Sequence, residues 1–597
     1  MRHFAIITAL LAVLAASLPL AASTLQVEAV YTTTRQVTSL AVTDQAVWVG
    51  TTGGCLRWDP QAPVGYKYTT ADGLPGNHVT GIIPGPSNAT VIIATTHGIA
   101  ACRDRRGGLR PWQGMSVLAG RATALTRADG EVYACIGRQT YVLQLSPEAG
   151  EWVALGPPLV AEPRCLAWHD GGLWAGTGNG LFRLEGDRWQ PLVHSENPLA
   201  ANVNALLASG DDFYVATVGG LFRLLEGHWH HYTTADGLPD SHITALAAGA
   251  DGIYLGTFGG GLATLAEDAI AAVAGSPAYV STVAVGPSPG TLWVGTQHHG
   301  AWLWDGQSWS RQVERNEPPG SNITGIAING SELWVGTFEH GVGLLRDSSW
   351  RAFGSASGLG SDWINHLAYG HGRAWARTSA GELFSYHHGT WQQVTKRSGL
   401  LKDWTSSVQA AGGNIWVGTW GALSKFDGKK WHNFAPKPAL TGQVVTSVAV
   451  LDRDIWVGTA KAGLCRYDGQ ARTWQAYTLG SGLTDTWVTC LEVWRGCLWI
   501  GTFSGGLCKY EKGNWEHFRA ADVLPGDRIN CLAHGDRLYV GTLEGLCSYD
   551  GRTWQTYGRE AGLPSEVIQS LQLSSDGATL WVGTPAGLAR VSLPLAR

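Results

Sequence analysis

Short apolar runs recur along the whole chain, each bounded by Gly, Asp, Asn or Ser, and none has the spacing of a helix face. Runs such as "HVTGII" and "HITALA" lead through a turn to "LWVGT". A Gly-rich step then leads to "GGLFRL" or "GLCRYD", and a further turn to "DGKKWHNF" or "DGRTWQTY". All four pieces are rich in β-branched and aromatic residues, which predicts four strands, a to d, in one unit. Aligning the chain on "WVGT" places Trp48, Trp174, Trp293, Trp334, Trp375, Trp416, Trp456, Trp499 and Trp581 in register, with Ile92, Tyr133, Tyr214, Tyr254 and Tyr539 filling the gaps. The result is fourteen copies at a period of about 41 residues, the length of a four-stranded propeller blade.

The prediction is an all-β protein of two seven-bladed β-propellers, because a propeller ring closes with about four to eight blades. Written d-a-b-c, the units come out whole from end to end. The N-terminal strand "VEAVYTTT" would then close the first ring on its seventh blade, and "SWSRQV" would close the second against "GLARVSL". The expected division is 24–306 and 307–597, with the boundary near Gly306. Met1-Arg2-His3, the apolar run Phe4 to Leu20 and the small residues Ala21-Ala22-Ser23 read as a signal peptide over 1–23. An uncleaved anchor is the alternative. Either way the chain is expected in the periplasm or outside the cell.

The octapeptide "YTTADGLP" at Tyr68 to Pro75 returns at Tyr232 to Pro239, four periods later. It reads as the turn between one blade's outer strand and the next blade's inner strand. Gly73 and Gly237 supply a positive φ, and Asp72 and Asp236 are expected to bond the backbone ahead.

Composition sharpens this picture. Of 29 Trp, nine lie on strand b and eleven on strand d, at 112, 152, 189, 229, 309, 350, 391, 431, 474, 515 and 554, where they fill the space between wedge-shaped blades. The ten Cys sit in strands, as in "GLCRYD", and read as small buried residues, with disulfides the alternative. A net charge of −5 and no Lys/Arg run argue against nucleic acid.

The phrase "DGLP...V..L......LWVGT..GGL", best seen in "YTTADGLPDSHITAL", "IWVGTAKAGLCRYDG" and "LWIGTFSGGLCKY", resembles the two-component regulator propeller repeat, over essentially all of the mature chain. The resemblance implies a double propeller used for extracytoplasmic recognition, often of glycan fragments, in sensors that continue into an immunoglobulin-like domain, a membrane span and a kinase. The sequence runs to Arg597 without those segments. The expectation is an exported, sensor-like recognition module, working with a separate membrane signalling protein.

Motifs that mimic catalytic chemistry are better explained as turns. "GPSPG" at Gly286 to Gly290 fits G-x-S-x-G but is followed at once by a strand, not a helix. "GTGNG" at Gly176 to Gly180 has no helix after it to receive a phosphate. "HWHH" places His228 and His230 on one strand face without a third ligand, so no metal or other cofactor is expected. A polysaccharide lyase or glycoside hydrolase stays as the enzyme alternative, although no pair of acids stands out.

The nine remaining Trp carry the functional expectation. The residue just before each strand a should rim the central channel: Gln36, His78, Arg121, Glu162, Asn202, His242 and Tyr279 in ring one; Asn322, Trp363, Trp404, Val444, Trp487, Arg528 and Val567 in ring two. The first rim reads as polar, the second as aromatic. The b-to-c turns of ring two add Phe338, Trp420 and Phe503, and Asp362 and Asp403 precede two of the rim Trp. Aromatic faces beside polar groups suit the C–H faces and hydroxyls of an oligosaccharide, with a peptide or protein surface as the other ligand class.

Overall fold

The computed structural model describes residues 25–593 except 60–64, 86–89, 104–109, 112–117, 129, 146–149, 193–201, 313–315, 435–439, 441 and 559–560. The signal-peptide reading over 1–23 and the Trp112 of blade two lie outside these residues. Fourteen antiparallel sheets follow one another along the chain. Thirteen run a-b-c-d in sequence order, from Val37–Val42, Val47–Thr51, Gly54–Trp58 and Tyr66–Tyr68 in blade one to Ile529–His534, Leu538–Thr542, Leu546–Tyr549 and Trp554–Tyr557 in blade thirteen. Blade two carries two short outer pieces, Arg110–Pro111 and Leu118–Ala119, both on Gly98–Arg103.

The repeated letters explain why the blades pack radially. The Gly of "WVGT" faces the first apolar residue of the next blade, leaving no room for a side chain. A Cβ on Gly501 would lie 2.7 Å from Ile529 Cγ2, and one on Gly458 would lie 2.6 Å from Val488 Cγ1. The same contact closes both rings: a Cβ on Gly295 of blade seven would meet Val37 of blade one at 2.4 Å, and one on Gly583 of blade fourteen would meet Ile323 of blade eight at 2.8 Å. These are two rings of seven. The following Thr is buried in every blade that has it, and in twelve blades its hydroxyl donates to the carbonyl across the b-to-c turn, as in Thr502 Oγ1 to Gly506 O at 2.7 Å.

A bulge after the first residue of strand a recurs in blades one to thirteen, as between Val488 and Cys490. It frees the second residue to reach sideways. Thr446 Oγ1 donates to Val488 O, Thr489 Oγ1 to Ile529 O, and Ser281 Oγ to Val37 O, each at 2.6 Å. The last of these bonds spans the seam of ring one.

Ring closure departs from the sequence expectation. The N-terminal strand Gln26–Tyr31 pairs with Gly587–Ser592 and forms the outer strand of blade fourteen, in ring two. "SWSRQV" stays in ring one, where Trp309–Gln312 pairs with Ala301–Trp304 of its own blade seven. The cause is local: Asp305 accepts the amides of Gln307 at 2.9 Å and Ser308 at 2.8 Å, a tight turn that folds strand d back on strand c. The sheets therefore divide between Gln312 and Ile323, not at Gly306, and the first ring begins at Val37. Where the chain crosses between rings, Glu317 takes hydrogen bonds from Thr33 Oγ1, Thr34 N and Thr34 Oγ1. Thr70 Oγ1 of blade one also donates to Gly562 O beside blade fourteen at 3.0 Å.

The strand b Trp are core: Trp48, Trp334, Trp375, Trp456 and Trp499 are fully buried. All ten Cys are free thiols inside the blades. In "YTTADGLP", the Asp reaches back rather than ahead. Asp72 accepts from Thr69 N at 2.8 Å and Asp236 from Thr233 N at 2.8 Å, capping a 3-10 turn that ends on Gly73 at φ 96° and Gly237 at φ 101°. The next residue, Leu74 or Leu238, is buried as the turn's anchor.

Candidate functional site: the mouth of the second ring

Four ring-two rim residues, Asn322, Trp363, Val444 and Trp487, are held by one repeated backbone bond. The carbonyl before strand a accepts the amide that follows the buried Thr of strand b, as in Trp363 O from Ser379 N at 2.8 Å and Trp487 O from Phe503 N at 3.0 Å. This bond puts the residue before strand a and the residue after "GT" side by side at the channel mouth.

In ring two that mouth is built from three aromatic groups. Phe338 and Trp363 meet across blades eight and nine with ring centroids 4.8 Å apart. Trp487 stacks on Phe503 at 4.3 Å and 12°, and the Arg528 guanidinium lies 4.4 Å from the centre of the Phe503 ring. Trp404 lies against Gly381, whose Cβ would be 2.4 Å from its Nε1. Trp420 breaks the pattern: it bridges to Val444 of the next blade, with Lys402 Nζ on its carbonyl. Among the described residues the four most exposed Trp are Trp363 at 46%, Trp404 at 43%, Trp420 at 56% and Trp487 at 41%, all on this rim.

The two rim acids have other work. Asp362 accepts from Ser355 N at 2.6 Å, and Asp403 accepts from Lys396 N at 2.7 Å, so both carboxylates cap the preceding 3-10 turn. Asp485 takes Trp487 N at 2.9 Å and Ser504 N at 2.8 Å, and these bonds hold its carboxyl below the usual range despite burial. Each carboxylate thus gives one oxygen to the backbone of the preceding turn, and Asp403 keeps a side chain 58% exposed, with Lys396 Nζ 3.7 Å from its other oxygen. Below the rim, ring two encloses a channel of about 1250 Å³, lined by Thr324, Asn365, Thr446, Thr489 and Asn530 toward the mouth and by Glu492, His534 and Asp576 further along strand a and beyond.

Two features escaped the sequence reading. Ring one is not purely polar: His242 stacks on Phe258 at 5.1 Å, Phe258 meets Tyr279 at 5.6 Å, and Tyr279 meets His298 at 6.0 Å. The signal was available, since Phe258 follows "GT" as Phe338 and Phe503 do. Secondly, blade nine reads "WART" where its neighbours read "WVGT". Arg377 occupies the glycine slot, 7% exposed, with its guanidinium 5.9 Å from the Trp404 ring.

No family model and no curated protein matches the chain in sequence. Solved structures do match in shape. They include extracellular domains of the putative hybrid two-component systems BT3049 and BT4673 from B. thetaiotaomicron. The BT3049 domain is 16% identical, with 94% of this chain and 82% of that chain covered at a TM-score of 0.42. The BT4673 domain is also 16% identical, with 95% and 82% covered at a TM-score of 0.39. AFV00434, an ancestral GH74 enzyme, is 13% identical, with 97% of this chain and 100% of that chain covered at a TM-score of 0.70. What the last likeness establishes is the fold: this chain is a β-propeller protein with the overall architecture of that enzyme.

Proposed function

We propose that the protein is an exported, non-catalytic recognition module that binds a carbohydrate fragment on the mouth of its second ring. The observation that carries this reading is the exposure of Trp363, Trp404, Trp420 and Trp487 on one rim, in a chain whose other described Trp are buried or half-buried. Flat indole faces on a fixed backbone, as the strand a to strand b bond gives Trp363 and Trp487, lose little entropy on stacking against a sugar. A glycan screen by calorimetry on the wild type and on a Trp363→Ala, Trp404→Ala, Trp487→Ala triple variant tests the proposal. Loss of about 1 kcal/mol per ring predicts a weakening of roughly 100-fold. A triple variant that binds every wild-type ligand unchanged would sink the site, and release of shortened product from a polysaccharide would sink the non-catalytic reading.

A further inference from the structure

Blade nine departs from its siblings in three places at once. At the slot before the strand b Thr, ten blades carry Gly, blades two and five carry Ala94 and Ala216, blade three carries Cys135, and blade nine carries Arg377. The residue this slot faces on the next blade is Thr405 rather than Val or Ile, with its hydroxyl turned to Gly381 O at 2.9 Å. Opposite Arg377 in the sheet stands His366, where blades ten to thirteen carry Ser407, Ser447, Cys490 and Cys531.

The arginine also takes over a bond. In the neighbouring blades the first carbonyl of strand a accepts from the second residue of the preceding blade, as Val445 O does from Ser406 Oγ at 2.6 Å. Thr405 O instead accepts Arg377 Nε at 2.9 Å. Asn365, which holds the place of Ser406 in blade nine, lines the channel with His366. Burial pushes the His366 pKa down to about 4, so His366 stays neutral beside the cation. Among the described residues no carboxylate lies within ion-pair distance of Arg377, and its two terminal nitrogens make no hydrogen bond. A buried guanidinium costs free energy unless a counter-charge meets it.

We propose that Arg377 is an anion-binding residue beneath the ring-two mouth, and that the saccharide bound there carries a carboxylate or a sulfate that docks on its free nitrogens while a sugar ring covers Trp404. The inference rests on the saccharide reading of the mouth and adds the charge of the ligand. Two parallel N–H donors pointing one way are the arrangement that takes an oxyanion with both oxygens.

Matched pairs of oligosaccharides test it: uronate oligomers against their carboxyl-reduced forms, and sulfated oligomers against their desulfated forms, titrated by calorimetry into wild type and Arg377→Gly. The substitution restores the letter that ten other blades carry, so it is expected to keep or raise the melting temperature. Arg377→Gln, which keeps a donor without the charge, serves as the second variant. The wild type should prefer the charged member of at least one pair by tenfold or more, with the pair showing which anion is read. Both variants should lose that preference while keeping the affinity for the neutral member. A preference that survives in both variants, or a wild type that binds neutral and charged members alike, overturns the inference and leaves the saccharide reading standing. A wild type that binds no member of any pair overturns both.

Discussion

Tyr31→Ala separates the two rings in one measurement. Tyr31 ends the N-terminal strand, paired with Leu588, and its ring sits 5.8 Å from Trp581 of blade fourteen and 6.0 Å from Trp350 of blade eight. It thus wedges the seam at which ring two closes. Removing the ring exposes apolar surface worth about 2 kcal/mol for this half-buried side chain, and the two aromatic contacts add about 1 kcal/mol together. The expected cost is about 3 kcal/mol, a weakening of the closing equilibrium by roughly 150-fold. Hydrogen exchange read by mass spectrometry gives each ring its own peptides. Amides in Ser570–Leu573, Thr579–Thr584 and Gly587–Ser592 should lose protection, while those of blades three to six keep theirs. Equal loss of protection in blade seven, or no loss in blade fourteen, would refute the closure by Gln26–Tyr31.

Three further outcomes follow from the packing. Gly501→Val places new carbon where even a Cβ would be 2.5 Å from Cys490 Sγ and 2.7 Å from Ile529 Cγ2, so it should destabilise ring two by about 1–3 kcal/mol or more in urea unfolding. Glu492 accepts from His534 Nδ1 at 3.0 Å at the channel wall and raises the His534 pKa above its usual 6.5. A raised folded-state pKa stabilises below about pH 6.5 and fades as pH rises through the folded value; Glu492→Gln should therefore lower the melting temperature at pH 5.5 and have little effect at pH 9. Burial pushes the thiols up, Cys135 and Cys490 to about 12, so native protein at pH 8 should resist alkylation, and all ten Cys should react once it unfolds.

Much of the fold was legible because each repeat letter has a steric reason. The Gly and Thr of "WVGT" mark a blade-to-blade contact and a turn clamp, and they recur often enough to count blades. Ring closure was harder to read, since "VEAVYTTT" and "SWSRQV" carry the same strand pattern. The turn at Asp305 was the deciding letter: a short hairpin loses far less chain entropy on closing than a pairing across a whole ring. The rim Trp were found by subtracting framework positions, which works because exposure on a rigid scaffold is set by register. The turn bonds of Asp362 and Asp403 were not legible, because an acid beside a Trp looks the same in sequence whether it faces a ligand, caps a turn or does both. Arg377 was visible only as a misspelling of the repeat, and its meaning needed the Thr405 carbonyl and the Trp404 ring in place.

The latch between Gln26–Tyr31 and Gly587–Ser592 joins two strands about 560 residues apart in the chain, the first and last of those described. At about 5–20 residues per second, synthesis leaves the early strand waiting roughly half a minute to two minutes for its partner. Ring one has every strand it needs by Gln312 and can fold in that interval. A chain that stalls, or is clipped before Gly587, has a second ring with two open edges, the kind of surface that recruits other strands and marks a protein for aggregation or removal. The topology thus lets only molecules that reach Ser592 seal the ring that carries the exposed tryptophans.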